Sequence, residues 1–230
     1  MTGSLFPNMP TVRAQMTDEQ VTALAKQAEC YETDPWAAEA ILRHELLTHL
    51  VWDPCCGTGI LSEAARAAHY QVMSTDLHDW GYEPAKSGED FLTFPTRPHR
   101  ETTIFMNPPF SLACEFVDKA HGLGARKIVC FQRFAWWESE KRREWWAKRP
   151  PNRIYICGDR AECWRFDIPH EERTGSTPTA HGWFIWERGQ PPGPTLGHIW
   201  KRDAARKDTP AENYDAYIDL KRAQVEGGDG

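Results

Sequence analysis

Apolar residues along this 230-residue chain fall into two kinds of pattern. Largely apolar runs at 50–52, 70–75, 103–106, 127–131, 153–157 and 182–187 have the length of strands. Between the first and second runs, and between the third and fourth, lie stretches whose apolar positions recur three or four apart, the spacing of a helix that covers a sheet. Thr17 followed by Gln20 forms a capping box and predicts a short helix through Glu29. Asp34 as N-cap and Pro35 at the first helical position predict a second helix that reaches about Leu50. Ile60 to Ala68, Leu112 to His121 with Ser111 as cap, and Trp136 to Arg149 predict three more, while residues 77–88 lack a period and predict a loop. Strands alternating with helices predict an α/β fold, a mostly parallel sheet with helices on both faces. The last two runs are joined by a long polar segment, 158–181, which predicts an antiparallel C-terminal edge. The chain then divides into a leader and short helix (1–30), a main domain (31–188), and a partly flexible tail (189–230) with one short helix around Asn213 to Arg222.

Two stretches concentrate candidate chemistry. Val51 to Leu61, VWDPCCGTGIL, is a strand that ends in Asp53-Pro54 and opens through Cys55, Gly57 and Gly59 into a helix. Such a turn places backbone N–H groups and a carboxylate around a small polar ligand. The second is Asn107-Pro108-Pro109-Phe110, directly after a strand. Two prolines remove two donors and fix two φ angles, so the Asn side chain and the carbonyls are held as rigid acceptors. Asp76, at the tip of the next strand, is suited to accept both hydrogen bonds of a ribose diol, and Asp90-Phe91 can meet an exocyclic amine and a ring face.

Charged residues at 26% and hydrophobic residues at 40% argue against disorder throughout, no stretch approaches the length of a membrane span, and the first residues have neither the basic start nor the apolar core expected of a signal peptide. Seven cysteines, an odd number without a CxxC pair, favour reduced thiols over a disulfide or zinc scaffold. The net charge of −6 is unevenly spread: residues 126–153 hold nine Lys or Arg against three Glu, so the rest of the chain carries −12. That basic stretch includes Trp136, Trp137, Trp145 and Trp146, and with helical spacing it predicts a surface shared by rings and positive charge.

Together these pieces resemble a small class I S-adenosylmethionine-dependent DNA adenine-N6 methyltransferase with a gamma-like order of motifs. Asp53-Pro-Cys-Cys-Gly-Thr-Gly is similar to the family's cofactor motif, and Tyr31-Glu-Thr-Asp-Pro to its Tyr-x-Thr-Pro element with Asp34 interposed. The resemblance implies a Rossmann-like class I methyltransferase fold. It implies S-adenosylmethionine held by Tyr31, Thr33, Asp53, Pro54, Cys55, Gly57, Gly59, Asp76, Asp90 and Phe91, catalysis by Asn107, Pro108, Pro109 and Phe110, and no metal. An adenine amine is a poor nucleophile because its lone pair is delocalised. Acceptance of its hydrogens by the Asn107 oxygen and the Pro108 carbonyl would make the nitrogen more pyramidal, with Phe110 stacking on the base. Aspartate is tolerated at the first position of that motif, so Asn107→Asp is expected to keep more activity than Asn107→Ala. The implied partner is DNA, bound through 126–153 and the 158–181 loop, with no membrane. A cytoplasmic, phage-type enzyme acting as a monomer or small homo-oligomer is also implied.

Other readings stay open on these residues. Similar tetrapeptides occur in RNA adenine-N6 and protein glutamine methyltransferases, because each presents a planar nitrogen group. A catalytically silent nucleic-acid-binding subunit would show erosion of the tetrapeptide or of the cofactor acids, and neither is eroded.

Overall fold

The computed structural model describes residues 16–95, 100–168, 172–173 and 179–204. The expected leader, the helix around Asn213 to Arg222 and parts of the 158–181 segment lie outside the described residues. The strands are β1 (Tyr31–Thr33), β2 (Leu50–Asp53), β3 (Gln71–Asp76), β4 (Lys86–Ser87) and β5 (Thr102–Met106), then β6 (Lys127–Arg133), β7 (Arg153–Cys157), β8 (Cys163–Arg165), β9 (His181–Glu187) and β10 (Thr195–Ile199). The helices are α1 (Asp18–Gln27), α2 (Pro35–His44), α3 (Ile60–Ala67), α4 (Ala113–Gly122), α5 (Arg143–Lys148) and α6 (Lys201–Ala204).

Eight strands form one sheet in the order β10-β7-β9-β6-β5-β2-β3-β4, parallel except where β9 runs antiparallel between β6 and β7. The chain steps from β2 outward to β3, then returns to the other side of β2 as β5. That reversal opens a crevice at the carboxyl ends of β2 and β5, where loops diverge and a ligand can enter. Successive residues of the central strands alternate between two cores, as the pleat requires. Val51, Phe105, Val129 and Phe131 pack under α2 and α3. Trp52, Ile104, Met106, Ile128 and Cys130 pack under α4 on the opposite face. Both faces are covered, which is why these strands read as continuous apolar runs.

Several expected elements differ. The Thr17–Gln20 capping box opens α1 as expected. The second helix stops at His44 rather than near Leu50, because Glu45 turns extended and its carboxylate is drawn into the core by Lys127. Asp34 makes no side-chain cap. Residues 31–33 form a strand paired antiparallel with β8, so the two halves of the chain close over the crevice. Within 77–88 the two-residue β4 extends the sheet. The tail expected from residue 189 still belongs to the sheet, since β10 pairs with β7 and forms its outer edge.

The largest difference is Trp136 to Arg149, which is not one helix. Phe134–Trp136 and Glu140–Arg142 are single 3₁₀ turns, and only Arg143–Lys148 is α-helical. The break follows from burial: Trp136, Trp137, Trp145 and Trp146 converge with Phe184 and Trp186, and no straight helix can aim all four rings one way. Arg142 stabilises the turns by donating to the carbonyls of Trp136, Ala135 and Glu138. Trp136 is buried in the core, and Trp137, Trp145 and Trp146 are half-buried against it.

The basic stretch is likewise divided. Lys127 begins β6 and Arg133 ends it, roughly 20 Å apart at about 3.3 Å per residue. Lys127 is 5% exposed and lies 2.9 Å from Glu45 and 3.3 Å from Glu187, while Arg153 bridges the same two acids. This buried ionic group locks the amino ends of β6 and β7 to α2, at the opposite end of the sheet from the crevice. Lys141, Arg143 and Lys148 remain exposed.

Candidate active site

A cavity of about 370 Å³ occupies the crevice. Residues 54–58 after β2, Asp76 and His78 after β3, Asp90 to Leu92, Asn107 and Pro109 after β5, and Glu29 to Thr33 line it. Its floor is apolar through Phe91 and Phe116, and its rim carries five acids: Glu29, Glu32, Asp76, Glu89 and Asp90. A cationic ligand with a flat apolar part matches that distribution of charge and surface.

The glycine loop is shaped from below. Gly59 has φ of 93° and stands at the N-cap of α3, where a side chain would meet the Tyr82 ring at 2.5 Å. Gly57 has φ of 55°, and its N–H donates to Asp76 Oδ2 at 2.9 Å. The other oxygen of Asp76 accepts from His78 N at 2.9 Å and from the Trp80 indole at 3.0 Å. Asp76 therefore ties the glycine loop to the segment after β3 and keeps acceptor capacity at the cavity wall. Burial is the main cause that raises its carboxyl above the ordinary aspartate value.

Asp53 is displaced from its expected place. It is fully buried, is not part of the cavity wall, and accepts from Ser62 Oγ at 2.8 Å. Its other oxygen has no donor, and burial pushes its pKa up to about 7. It supports the loop from the sheet side and does not face a ligand. Gly59 is also outside the cavity wall, whereas Tyr31, Thr33, Pro54, Cys55, Gly57, Asp76, Asp90 and Phe91 belong to it. Asp90 Oδ1 accepts from Leu92 N at 2.9 Å, which holds Phe91 inward at 2% exposure. Cys30, Cys55 and Cys56 line the same cavity, and burial raises each thiol, so they are neutral small apolar groups.

The tetrapeptide is held from two sides. Asn107 Nδ2 donates to the Tyr31 carbonyl at 2.9 Å and to Thr33 Oγ1 at 3.0 Å. Both amide hydrogens are thereby used, and Asn107 Oδ1 is left buried without a donor. Pro108 is buried outside the cavity wall, and its carbonyl accepts from Gln132 Nε2 at 3.3 Å, a partner that the sequence did not signal. That bond takes one of the carbonyl's two lone pairs. Phe110 also stands outside the cavity wall: its ring stacks on Tyr31 at 5.3 Å between centroids, and the Arg133 guanidinium carbon lies over it at 4.4 Å. Ser111 donates its hydroxyl to Glu29 at 2.6 Å rather than capping α4. In the 158–181 segment, β8 supplies the partner of β1, and Arg173 closes onto Glu32 at 2.7 Å. His181, buried and stacked on Phe131, has its pKa lowered to about 4 by burial and is neutral.

No family model matches the sequence, and no curated protein matches it. Solved structures do. A Vibrio vulnificus protein assigned as a modification subunit of a type I restriction enzyme is 13% identical, with a TM-score of 0.50 over 90% of this chain and 58% of its own. A Pyrococcus horikoshii protein assigned as an RNA methyltransferase is 17% identical, with a TM-score of 0.48 over 78% of this chain and 90% of its own. A type I restriction-modification methyltransferase subunit from Streptococcus thermophilus is 10% identical, with a TM-score of 0.47 over 74% of this chain and 48% of its own. This chain thus spans about half the length of the two restriction subunits. The architecture, a mixed central sheet with flanking helices in a Rossmann-like arrangement, is the fold shared with the Vibrio vulnificus structure. Among the described residues, no helix is long and apolar enough to cross a membrane.

Proposed function

We propose that this chain transfers a methyl group from S-adenosylmethionine to the exocyclic N6 amine of adenine in DNA. One observation carries the reading: Asn107 Oδ1, at the wall of an acid-rimmed cavity, is a buried acceptor with no donor. An unmet buried acceptor costs on the order of 1–3 kcal/mol, so the fold keeps it for a donor that arrives with a ligand.

The residues present fit the cofactor. The 54–58 loop, the free acceptor site of Asp76 and the acidic rim suit its ammonium and ribose, and Phe91 with Leu92 suits its adenine ring. Bound there, it supplies an electrophilic methyl on a positively charged sulfur. Asn107 acts on the acceptor amine. Its oxygen takes one N6 hydrogen, and that bond strengthens as the nitrogen lone pair displaces sulfur and positive charge develops on nitrogen. The proton leaves to solvent, because no general-base histidine is required. The Pro108 carbonyl, which keeps a second lone pair beside its bond to Gln132, is the acceptor for the other N6 hydrogen. Arg133, Lys141, Arg143 and Lys148 are exposed members of the basic stretch available to DNA phosphates.

The test is to incubate the protein with labelled cofactor and equal amounts of duplex DNA, single-stranded DNA and RNA, then identify the modified nucleoside. N6-methyladenine in DNA is expected. A methylated cytosine, or label in RNA alone, overturns the substrate assignment.

A further inference from the structure

Arg133 stands apart from the other cations around the crevice. Arg165 is paired with Asp167, Arg173 with Glu32, and Arg142 with three backbone carbonyls. Arg133 is exposed, and among the described residues no carboxylate lies within ion-pair distance of it. It ends β6 immediately after Gln132, the residue that holds the Pro108 carbonyl, so the cation is fixed beside the catalytic tetrapeptide. Its guanidinium rests over the Phe110 ring, 4.4 Å from the centroid. A flat cation over an aromatic face occupies the kind of surface on which a flat base stacks.

We infer that Arg133 is the substrate-phosphate contact of this site, and that it yields the Phe110 face to the target base when it takes up the phosphodiester next to that base. This rests on the methyl-transfer reading for the identity of the base. The phosphate contact itself rests on Arg133. The acids of the cavity rim would repel a polyanion, and an unpaired arginine at the tetrapeptide offsets that repulsion where the chain must approach. A guanidinium also matches two phosphate oxygens at once. Phosphodiester is common to DNA and RNA, so the two polymers are separate arms of the test.

Fluorescein-labelled twelve-nucleotide DNA and RNA strands, each containing one adenine, are titrated with protein and S-adenosylhomocysteine at several salt concentrations, and anisotropy is read. Arg133→Ala is expected to weaken binding about tenfold and to flatten the slope of log affinity against log salt by about 0.7, the loss of one phosphate contact. Arg133→Lys should restore most of the slope, since an ammonium still meets a phosphate. Cofactor binding measured by calorimetry should be equal in all three proteins. Equal slopes for wild type and Arg133→Ala, no rescue by lysine, or failure of the wild type to bind either strand overturns the phosphate contact. If the slopes change as expected but no methylated nucleoside forms, the phosphate contact stands and the methyl-transfer reading falls. Binding of RNA but not DNA assigns the contact to RNA.

Discussion

The Asn107 amide nitrogen donates to the Tyr31 carbonyl at 2.9 Å, so a residue after β5 is oriented by a strand that lies far away in the sequence. This contact decides which amide atom is left to meet a ligand. It also makes asparagine and aspartate unequal at 107, because a carboxylate would set an oxygen against a carbonyl that cannot donate. Asn107→Asp is therefore expected to fall with Asn107→Ala, each lowering single-turnover methyl transfer about a hundredfold. This reverses the tolerance expected from the motif alone. Thr33→Val removes one of the two restraints and should cost about three- to tenfold in turnover with cofactor affinity unchanged. Full activity in Asn107→Asp would show that the amide hydrogens are not what positions the oxygen.

Asp76 gathers three donors from two loops, so its removal acts on the cavity as well as on any ligand. Asp76→Asn should be nearly as harmful as Asp76→Ala, since its NH₂ would face an N–H. Both should weaken cofactor binding tenfold or more by calorimetry and lower the urea midpoint. Unchanged affinity with a lowered midpoint would assign the residue to the loops alone.

Asp53 gives stability a pH dependence of unusual sign. Burial lifts its folded pKa to about 7, so the native state holds a proton that the unfolded chain releases near pH 4. Its contribution is complete below about pH 4 and is lost as pH rises toward and through 7. Asp53→Asn, which imitates the protonated form, should match wild type near pH 5 and exceed it at pH 8, by on the order of 2 kcal/mol in urea unfolding. Parallel pH profiles for the two proteins would refute the assignment.

The Glu45 carboxylate, 4% exposed, is shared by Lys127 and Arg153. Burial alone would raise its pKa, but the Arg153 hydrogen bond and the Lys127 charge hold it below the ordinary glutamate value. Its stabilising contribution is present above that ordinary value and is lost as pH falls through the depressed one. Glu45→Ala leaves two cations short of an acid and should destabilise by about 3 kcal/mol. The cofactor cavity is remote, so cofactor affinity at neutral pH should not change. A loss below about 0.5 kcal/mol would show the network to be replaceable by water.

Trp136 tests whether the tryptophans are core or interface. It is 5% exposed among Trp145, Trp146, Phe184 and Trp186, so Trp136→Ala should cost about 3–5 kcal/mol in unfolding free energy. An unchanged urea midpoint with weakened DNA binding would return the ring to the surface.

Local information was enough for the parallel sheet. Runs such as Ile104 to Met106 and Ile128 to Phe131 are apolar at every position because both of their faces are covered, and the neighbouring helices carry their period in the same few residues. The positions of Asp53 to Gly59 and Asn107 to Phe110 followed too, since strand ends and proline or glycine turns are set by neighbouring residues. What those side chains face depends on partners distant in the chain. Asn107 is aimed by Tyr31 and Thr33, Pro108 is turned by Gln132, and Asp76 is filled by Gly57, His78 and Trp80. The basic, Trp-rich stretch misled for the same reason. Helical spacing put rings and charges on one face, but burial of Trp136 with Trp137, Trp145 and Trp146 packed half-buried against the core is worth more than a few helical hydrogen bonds, and it broke the helix and divided the charges. Sequence determined where the acceptors stand along the chain, and long-range packing decided which of them were left without a donor.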